Sequence, residues 1–434
     1  MKKVLIVSYD YYPLAHAASY MVQSRGAHLA ACGWEPVVLT RHWDADSTDV
    51  FAETDQPLKK DHDPVVECTV YRTAYKQSFK SLLKARARFS SNSIRFKLLN
   101  FFLRTFCLHP CEHRGWHPYA VEAGLKIVKE ENISAILSVG SPWSCHWISA
   151  DISQKSKIPW VASYMDPWNQ SPSKKYWYRP FSWKWCLSKL ISICVENNTA
   201  GKANCAAHNS TPWAQELQHL IGVKTHSITH GVDADDLKDV YHFQPDSKCL
   251  TLSYIGSLHF TQKTDVFFQG LSQFFEENQI DRDKFQVQFI GCPAAKSRYQ
   301  QYANVKGYVR EIAYLPREQA QEYMMQSHIL LLFLINDDGW YPMKVFEYLS
   351  TNAQILATPR DHGVIDKILT DSGKGITLDT PSETAGWLKE KWKEFLENGK
   401  LTAHINKTAL DAMDRRKNVQ MLAQILDDIS RVKQ

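Results

Sequence analysis

The stretch WYPMKVFEYLSTNAQILAT, Trp340 to Thr358, sets Lys344 and Glu347 three residues apart behind a proline. On a helix that spacing brings both side chains to one face. A helix opening near Pro342 directs free N–H groups and the positive end of its dipole outward, with proline in a favoured first-turn position, and Lys344 adds a cation. Glu347 suits hydrogen bonds from vicinal hydroxyls such as those of a ribose, so a nucleoside diphosphate fits the pair. The same two residues equally suit a surface lysine and a glutamate that stabilises a helix start. A second carboxylate, Asp166 in YMDPW, follows an apolar run and suits a group that orients or deprotonates a hydroxyl. It also suits a plain turn before Pro167. His16, in the loop LAHAAS, is a second candidate base or a solvated loop histidine.

Cys107, His109, Cys111, His113 and His117 lie close together in CLHPCEHRGWH, which raises zinc ligation. The spacing matches no usual zinc pattern, and Pro110 and Gly115 interrupt it. No metal site is expected.

Short apolar runs alternate with helical patterns along almost the whole chain, the mark of parallel strands joined by crossover helices. The class is therefore α/β. Strands are expected at 4–9, 36–40, 65–70, 133–139, 159–164, 205–210 and 225–229, then at 250–256, 285–291, 328–335, 354–358 and 375–378. A polar, turn-forming stretch, GVDADDLKDVYHFQPDSK, divides the two sets, so domains of 1–240 and 241–434 are expected, the second carrying helices over roughly 382–398 and 402–430. Two doubly wound sheets would bind ligands beyond the carboxyl ends of their strands, in a cleft between the domains.

With 434 residues, the chain exceeds one ordinary core. Its 44% hydrophobic and 22% charged residues, without low-complexity tracts, exclude a disordered chain. The opening MKKVLIVSYD has only a four-residue apolar run before Ser8, too short for a signal-peptide core or a membrane span. The ten cysteines are scattered without a CxxC pair. Reduced thiols in a cytoplasm are expected.

The net charge of +5 is unevenly spread: 72–110 holds nine Lys or Arg and no acid. Within it, Ile94, Leu98, Phe101, Phe102 and Phe106 fall broadly on one helical face, against Arg95, Lys97 and Arg104. KKYWYRPFSWKWCLSKL, 174–190, adds six aromatics and five cations. Such mixtures suit an anionic membrane surface or, equally, core helices with solvated basic edges. Nucleic acid is not expected, since no recognised binding motif is present.

Several segments occur together in an order that resembles a known family. PMKVFEYLS followed by QILAT, YIGSL followed by QKTDVFFQGL, ITHGVD and NVKGYV are similar to the C-terminal domain of GT-B glycosyltransferases, particularly the retaining family-four type that uses nucleotide-sugar donors. YDYYPLAHAASYMVQSRGAHLAACGWEPVVLT looks like that family's opening strand, loop and helix. ILSVGSPWSCHWISA with IPWVASYMDPWN resembles a subgroup that reads DFRDPW at the last point. The resemblance covers most of the chain, least over 41–110 and after 380.

The resemblance implies a GT-B fold, two Rossmann-like domains facing across a cleft. It implies that Glu347 holds the donor ribose, that backbone N–H groups around Pro342, Met343 and Lys344 hold the diphosphate, that Lys263 is the phosphate lysine, and that Tyr308 and Val309 flank the base. Gly256 and Ser257 occupy the positions of the family's Gly-Arg pair, and Gly339 stands where a donor-sugar glutamate is usual, with Asp337 and Asp338 nearest. Leu14 to Ser19 replaces a Gly-Gly loop. Retaining transfer on this fold needs no metal or other cofactor. The expected activity is transfer of a sugar from a nucleotide diphosphate donor to a glycan or lipid-linked acceptor in surface polysaccharide assembly, by a cytoplasmic protein peripheral to the inner membrane face. A catalytically silent binding relative and a nucleotide-sugar epimerase are the alternatives. Donor hydrolysis argues against the first, and reaction without any acceptor favours the second.

Overall fold

The structure, a computed structural model, describes residues 1–14, 17–44, 49, 51–170, 183–233, 240, 242–335 and 337–431. The chain forms two compact units, Met1–His230 with Arg416–Gln434, and Gly231–Arg415.

The first unit is built on β1 (Lys2–Val7), β2 (Trp34–Arg41), β3 (Lys59–Asp63), β4 (Cys68–Thr73), β5 (Ile133–Gly140), β6 (Trp160–Tyr164), β7 (Cys205–His208) and β8 (Thr225–Ser227). Their order across the sheet is β3-β4-β2-β1-β5-β6-β7-β8. All pairs are parallel except β3 with β4. Strand order reverses between β1 and β5, the place where open α/β sheets bind ligands. Helices cover both faces, so strands such as VVLTR and WVASY are buried at every position. Sequence reasoning misses β3 because KKDHD carries no apolar residue. It forms the antiparallel edge, where lysines discourage pairing with another chain.

The second unit holds β9 (Leu250–Ile255), β10 (Phe285–Ile290), β11 (Val309–Ile312), β12 (Ile329–Phe333), β13 (Gln354–Thr358) and β14 (Gly375–Thr377), in the order β11-β10-β9-β12-β13-β14 and wholly parallel. Its core on one face is aromatic, with Phe267, Phe268, Phe274, Phe285, Phe289 and Phe333 fully or almost fully buried. The other face packs Leu330 and Leu332 against Val345, Phe346 and Leu349. Edge strand β11, VREI, escaped the sequence reading because only its ends are apolar.

The helices Asp265–Glu277 and Pro381–Asn398 meet at Gly270, where an added Cβ would lie 2.5 Å from the Thr384 Cβ and 2.7 Å from the Pro381 carbonyl. Gly270→Val should therefore lower the unfolding free energy by about 2 kcal/mol in denaturant titration. Wild-type stability would show that the two helices can separate without loss.

The domain limits differ from the sequence expectation. The chain leaves the first unit after His230, not near 240, because 231–233 is tied to the second unit: Val232 bridges to Asp414, and Arg415 Nη1 donates to Asp233 Oδ2 at 3.3 Å, with both side chains buried. All but the first residue of the last helix, Arg415–Arg431, belongs to the first unit, where Lys2 Nζ donates to Asp427 Oδ1 at 2.8 Å. Val419, Leu422 and Leu426 mark its buried face. That pattern announces an amphipathic helix but not the sheet it will cover.

Candidate functional site

The helix Lys344–Leu349 buries Val345, Phe346, Tyr348 and Leu349. Four of its six residues are thus committed to packing, and Lys344 and Glu347 are left together on the remaining side. Lys344 Nζ donates to the Ile255 carbonyl at 2.8 Å, at the carboxyl end of β9, and stands 3.9 Å from the centroid of the Tyr254 ring. Gly256 follows with φ +97°, and a Cβ there would sit 3.6 Å from Nζ. Backbone and ammonium group are therefore open to each other where β9 ends. Burial pushes the Lys344 amine down to about 8, against the opposing pull of Cys292 and Glu347. An ammonium short of hydration gains unusually from an anion.

Glu347 lies about one turn on. Its Oε1 accepts from Arg317 Nη2 at 3.0 Å, and both side chains remain about one-third exposed. The amides of Val345 and Phe346 already donate to the carbonyls of Pro342 and Met343, at 3.0 and 3.2 Å. Those of Met343 and Lys344 have no partner among the described residues. The Lys263 backbone N–H donates to the Leu334 carbonyl at 3.1 Å, just beyond β12, and its exposed side chain has no partner among the described residues. Ser257 is exposed, and its carbonyl accepts from the Tyr254 hydroxyl at 2.9 Å. The same end of the sheet thus gathers Gly256, Ser257, Lys263, Pro342, Met343, Lys344 and Glu347.

Tyr308 and Val309, expected beside a base, lie apart from this group. Val309 is level with Val287 and Leu252, so it opens β11 two strands over and three residues short of the level of Ile255, roughly 10 Å back along the strand direction. Tyr308 stacks on Phe275 at 3.9 Å and donates to the Ile280 carbonyl at 2.8 Å, which makes it part of the packing. The residue that β11 does deliver to the carboxyl end is Tyr314, 77% exposed and within 3.8 Å of a Cβ placed on Gly291. Sequence reasoning missed Tyr254, Tyr314 and Arg317. Once β11 is recognised, the period of the sheet places Tyr314, and Pro316 before Arg317 marks a helix start. Asp337 is buried and accepts from the Gly339 N–H at 3.1 Å, closing a turn.

In the first unit Asp166 is exposed just beyond β6, where its Oδ2 accepts from the Ser141 hydroxyl at 3.4 Å. The loop that carries it is anchored on both sides. Trp168 stacks on Trp143 with centroids 5.3 Å apart and planes within 5°. Behind it the fully buried Glu196 accepts from the Tyr164 hydroxyl at 3.1 Å, from Asn169 Nδ2 at 2.7 Å and from Gln170 Nε2 at 2.9 Å. Glu196→Ala strands three buried donors and should cost about 3 kcal/mol of stability, read by denaturant unfolding. A loss below about 1 kcal/mol would mean that the loop is held without the carboxylate.

His16 lies outside the described residues, as does most of the aromatic run 174–190. The Cys/His segment disperses: His109 meets the Thr105 carbonyl at 2.9 Å, His117 meets Asp151 at 3.0 Å and stacks on Trp147, and His113 stacks on Phe51. Among the described residues no group of three His, Cys, Asp or Glu side chains is arranged to hold a metal ion.

No family model and no curated protein matches the sequence. Solved structures do match. A sucrose-phosphate synthase from Thermosynechococcus elongatus superposes with TM-score 0.57 at 15% identity, covering 100% of this chain and 97% of its own. An α,α-trehalose 6-phosphate synthase from Burkholderia multivorans gives 0.61 at 12% identity and covers both chains completely. Anabaena HepE, solved in complex with UDP and glucose, gives 0.58 at 12% identity over 99% of this chain and 100% of its own. With its two parallel-sheet α/β units and this end-to-end likeness, the chain has the GT-B fold of these glycosyltransferases.

Proposed function

We propose that the protein is a glycosyltransferase that takes a sugar from a nucleoside diphosphate donor bound at the carboxyl end of the second unit's sheet. The carrying observation is the placement of the under-hydrated Lys344 amine beside the bare backbone of Gly256, with the Glu347–Arg317 pair about one turn further on. Lys344 and Lys263 would neutralise the departing diphosphate, the largest electrostatic demand of such a transfer. Glu347 would accept from ribose hydroxyls, with Arg317 holding the carboxylate in place. Asp166 would position or deprotonate the acceptor hydroxyl. UDP is the first nucleotide to test, since HepE was solved with it.

The finer reading is transfer with retention and without metal, to a glycan or lipid-linked acceptor in surface polysaccharide assembly, by a cytoplasmic protein peripheral to an anionic membrane. A silent binding relative is the rival reading, motivated by Ser257 and Gly339 in place of the family's arginine and glutamate. Thermal-shift screening against UDP, GDP and dTDP sugars tests the donor. A donor at 100 times its Kd stabilises the protein by about 2.7 kcal/mol. No shift with any of them contradicts the proposal, and binding without donor hydrolysis or transfer supports the silent relative.

A further inference from the structure

The helix Ile94–Phe102 and the turn that follows it carry two apolar stripes rather than one. Leu99 and Leu103, with Cys107 and Leu108, turn inward and pack with Leu82 and Leu83 in a small cluster. Ile94, Leu98, Phe102 and Phe106 turn outward and are 75%, 52%, 49% and 50% exposed. Four-residue steps on an α-helix drift by about 40° each, which would carry Phe106 away from the line. Leu103–Cys107 is instead a π-type turn, closed by the Leu108 N–H on the Leu103 carbonyl at 2.9 Å. Its wider turn offsets the drift. The rings of Phe102 and Phe106 accordingly meet at 5.7 Å. Single exposed apolar side chains are ordinary, but four aligned ones on one ridge call for a partner.

The charges beside the ridge indicate which partner. Lys84, Arg88, Arg95, Lys97 and Arg104 are exposed, and none has an ion-pair partner among the described residues. No acidic residue occurs between 72 and 110. The other cations of that segment, Arg72, Lys76, Lys80 and Arg86, are paired with Asp61, Asp55, Glu53 and Glu112 from outside it. An apolar ridge with uncompensated cations on its flanks matches an anionic bilayer, which accepts aliphatic and aromatic side chains among its acyl chains and lysine or arginine among its headgroups. No helix among the described residues is long and apolar enough to cross a membrane.

We propose that this ridge seats the protein on an anionic lipid surface, with Ile94, Leu98, Phe102 and Phe106 entering the interface and Arg95, Lys97 and Arg104 reading the headgroups. The proposal rests on the peripheral-membrane part of the functional reading but not on the donor site, which lies in the other unit. The test is flotation of the full chain with vesicles of phosphatidylcholine alone or with phosphatidylglycerol, at low and high salt. Binding is expected only to the phosphatidylglycerol vesicles and is expected to weaken with salt. Neutralising two cations in Arg95→Gln/Lys97→Gln should lower the partition coefficient about 30-fold, at about fivefold per cation. Leu98→Glu/Phe102→Glu should abolish flotation. Circular dichroism and UDP titration on the same preparations keep the outcome interpretable. Variants that float like wild type, or equal binding to both vesicles, overturn the proposal. So does a wild-type dimer that Leu98→Glu/Phe102→Glu converts to a monomer, since the ridge would then be covered by a second copy. Flotation without UDP binding upholds the docking ridge and counts against the glycosyltransferase reading, whereas the reverse pattern does the opposite.

Discussion

Lys344→Met should weaken nucleoside diphosphate binding by about a hundredfold, the loss of a charged hydrogen bond in a poorly hydrated place, while affinity for the bare nucleoside stays nearly unchanged. Burial holds the amine near 8, so wild-type affinity for the diphosphate should fall as pH rises through that value, by up to tenfold per unit where only the ammonium form binds. Binding an anion favours the protonated amine, so proton uptake should accompany binding above pH 8 and vanish in Lys344→Met. The sign for folding is opposite. The folded pKa lies below the ordinary lysine value of 10.5, so the unfolded chain holds more protons between about 8 and 10.5, and stability contributed by this group should rise with pH across that window. At neutral pH the variant should be as stable as wild type or more so, because a charge that burial disfavours is gone. Equal losses for nucleoside and diphosphate would place Lys344 in packing alone.

Asp166→Asn should reduce turnover at least tenfold and leave nucleotide affinity within a factor of two, as expected for an acceptor-side general base. Asp166 belongs to the first unit and Lys344 to the second, so the two effects are separable by comparing kcat with donor Kd. The substitution keeps the acceptor atom for the Ser141 hydroxyl, so loop geometry should survive. Parallel falls in turnover and donor affinity would make Asp166 structural or donor-facing.

How much of this was legible in the sequence depended on whether a residue's role is local. Apolar runs such as ILLLF and QILAT announce buried parallel strands wherever they occur, and both lie where expected. The edges β3 and β11 were silent because an edge strand need bury little: KKDHD reads as loop by composition. Missing β11 also hid Tyr314, which follows that strand at its carboxyl end. Lys344 and Glu347 were visible from their spacing, but their partners were not. Arg317 is 30 residues from Glu347, and Ile255 is 89 from Lys344, and only the sheet order brings them together. Glu196 shows the same limit, a charge in an unremarkable helix whose importance comes from three donors on β6 and the Asp166 loop.

The most direct test of the central claim is calorimetric titration of the wild-type protein with uridine, UMP and UDP, then with the corresponding guanosine and thymidine series. For one base, affinity should climb stepwise from nucleoside to monophosphate to diphosphate, with most of the gain at the diphosphate, and that gain should shrink at high salt. Equal affinity for all three members of every series, or no binding by any, would mean that Lys344 and Glu347 merely stabilise a short helix, and the proposed donor site would be lost.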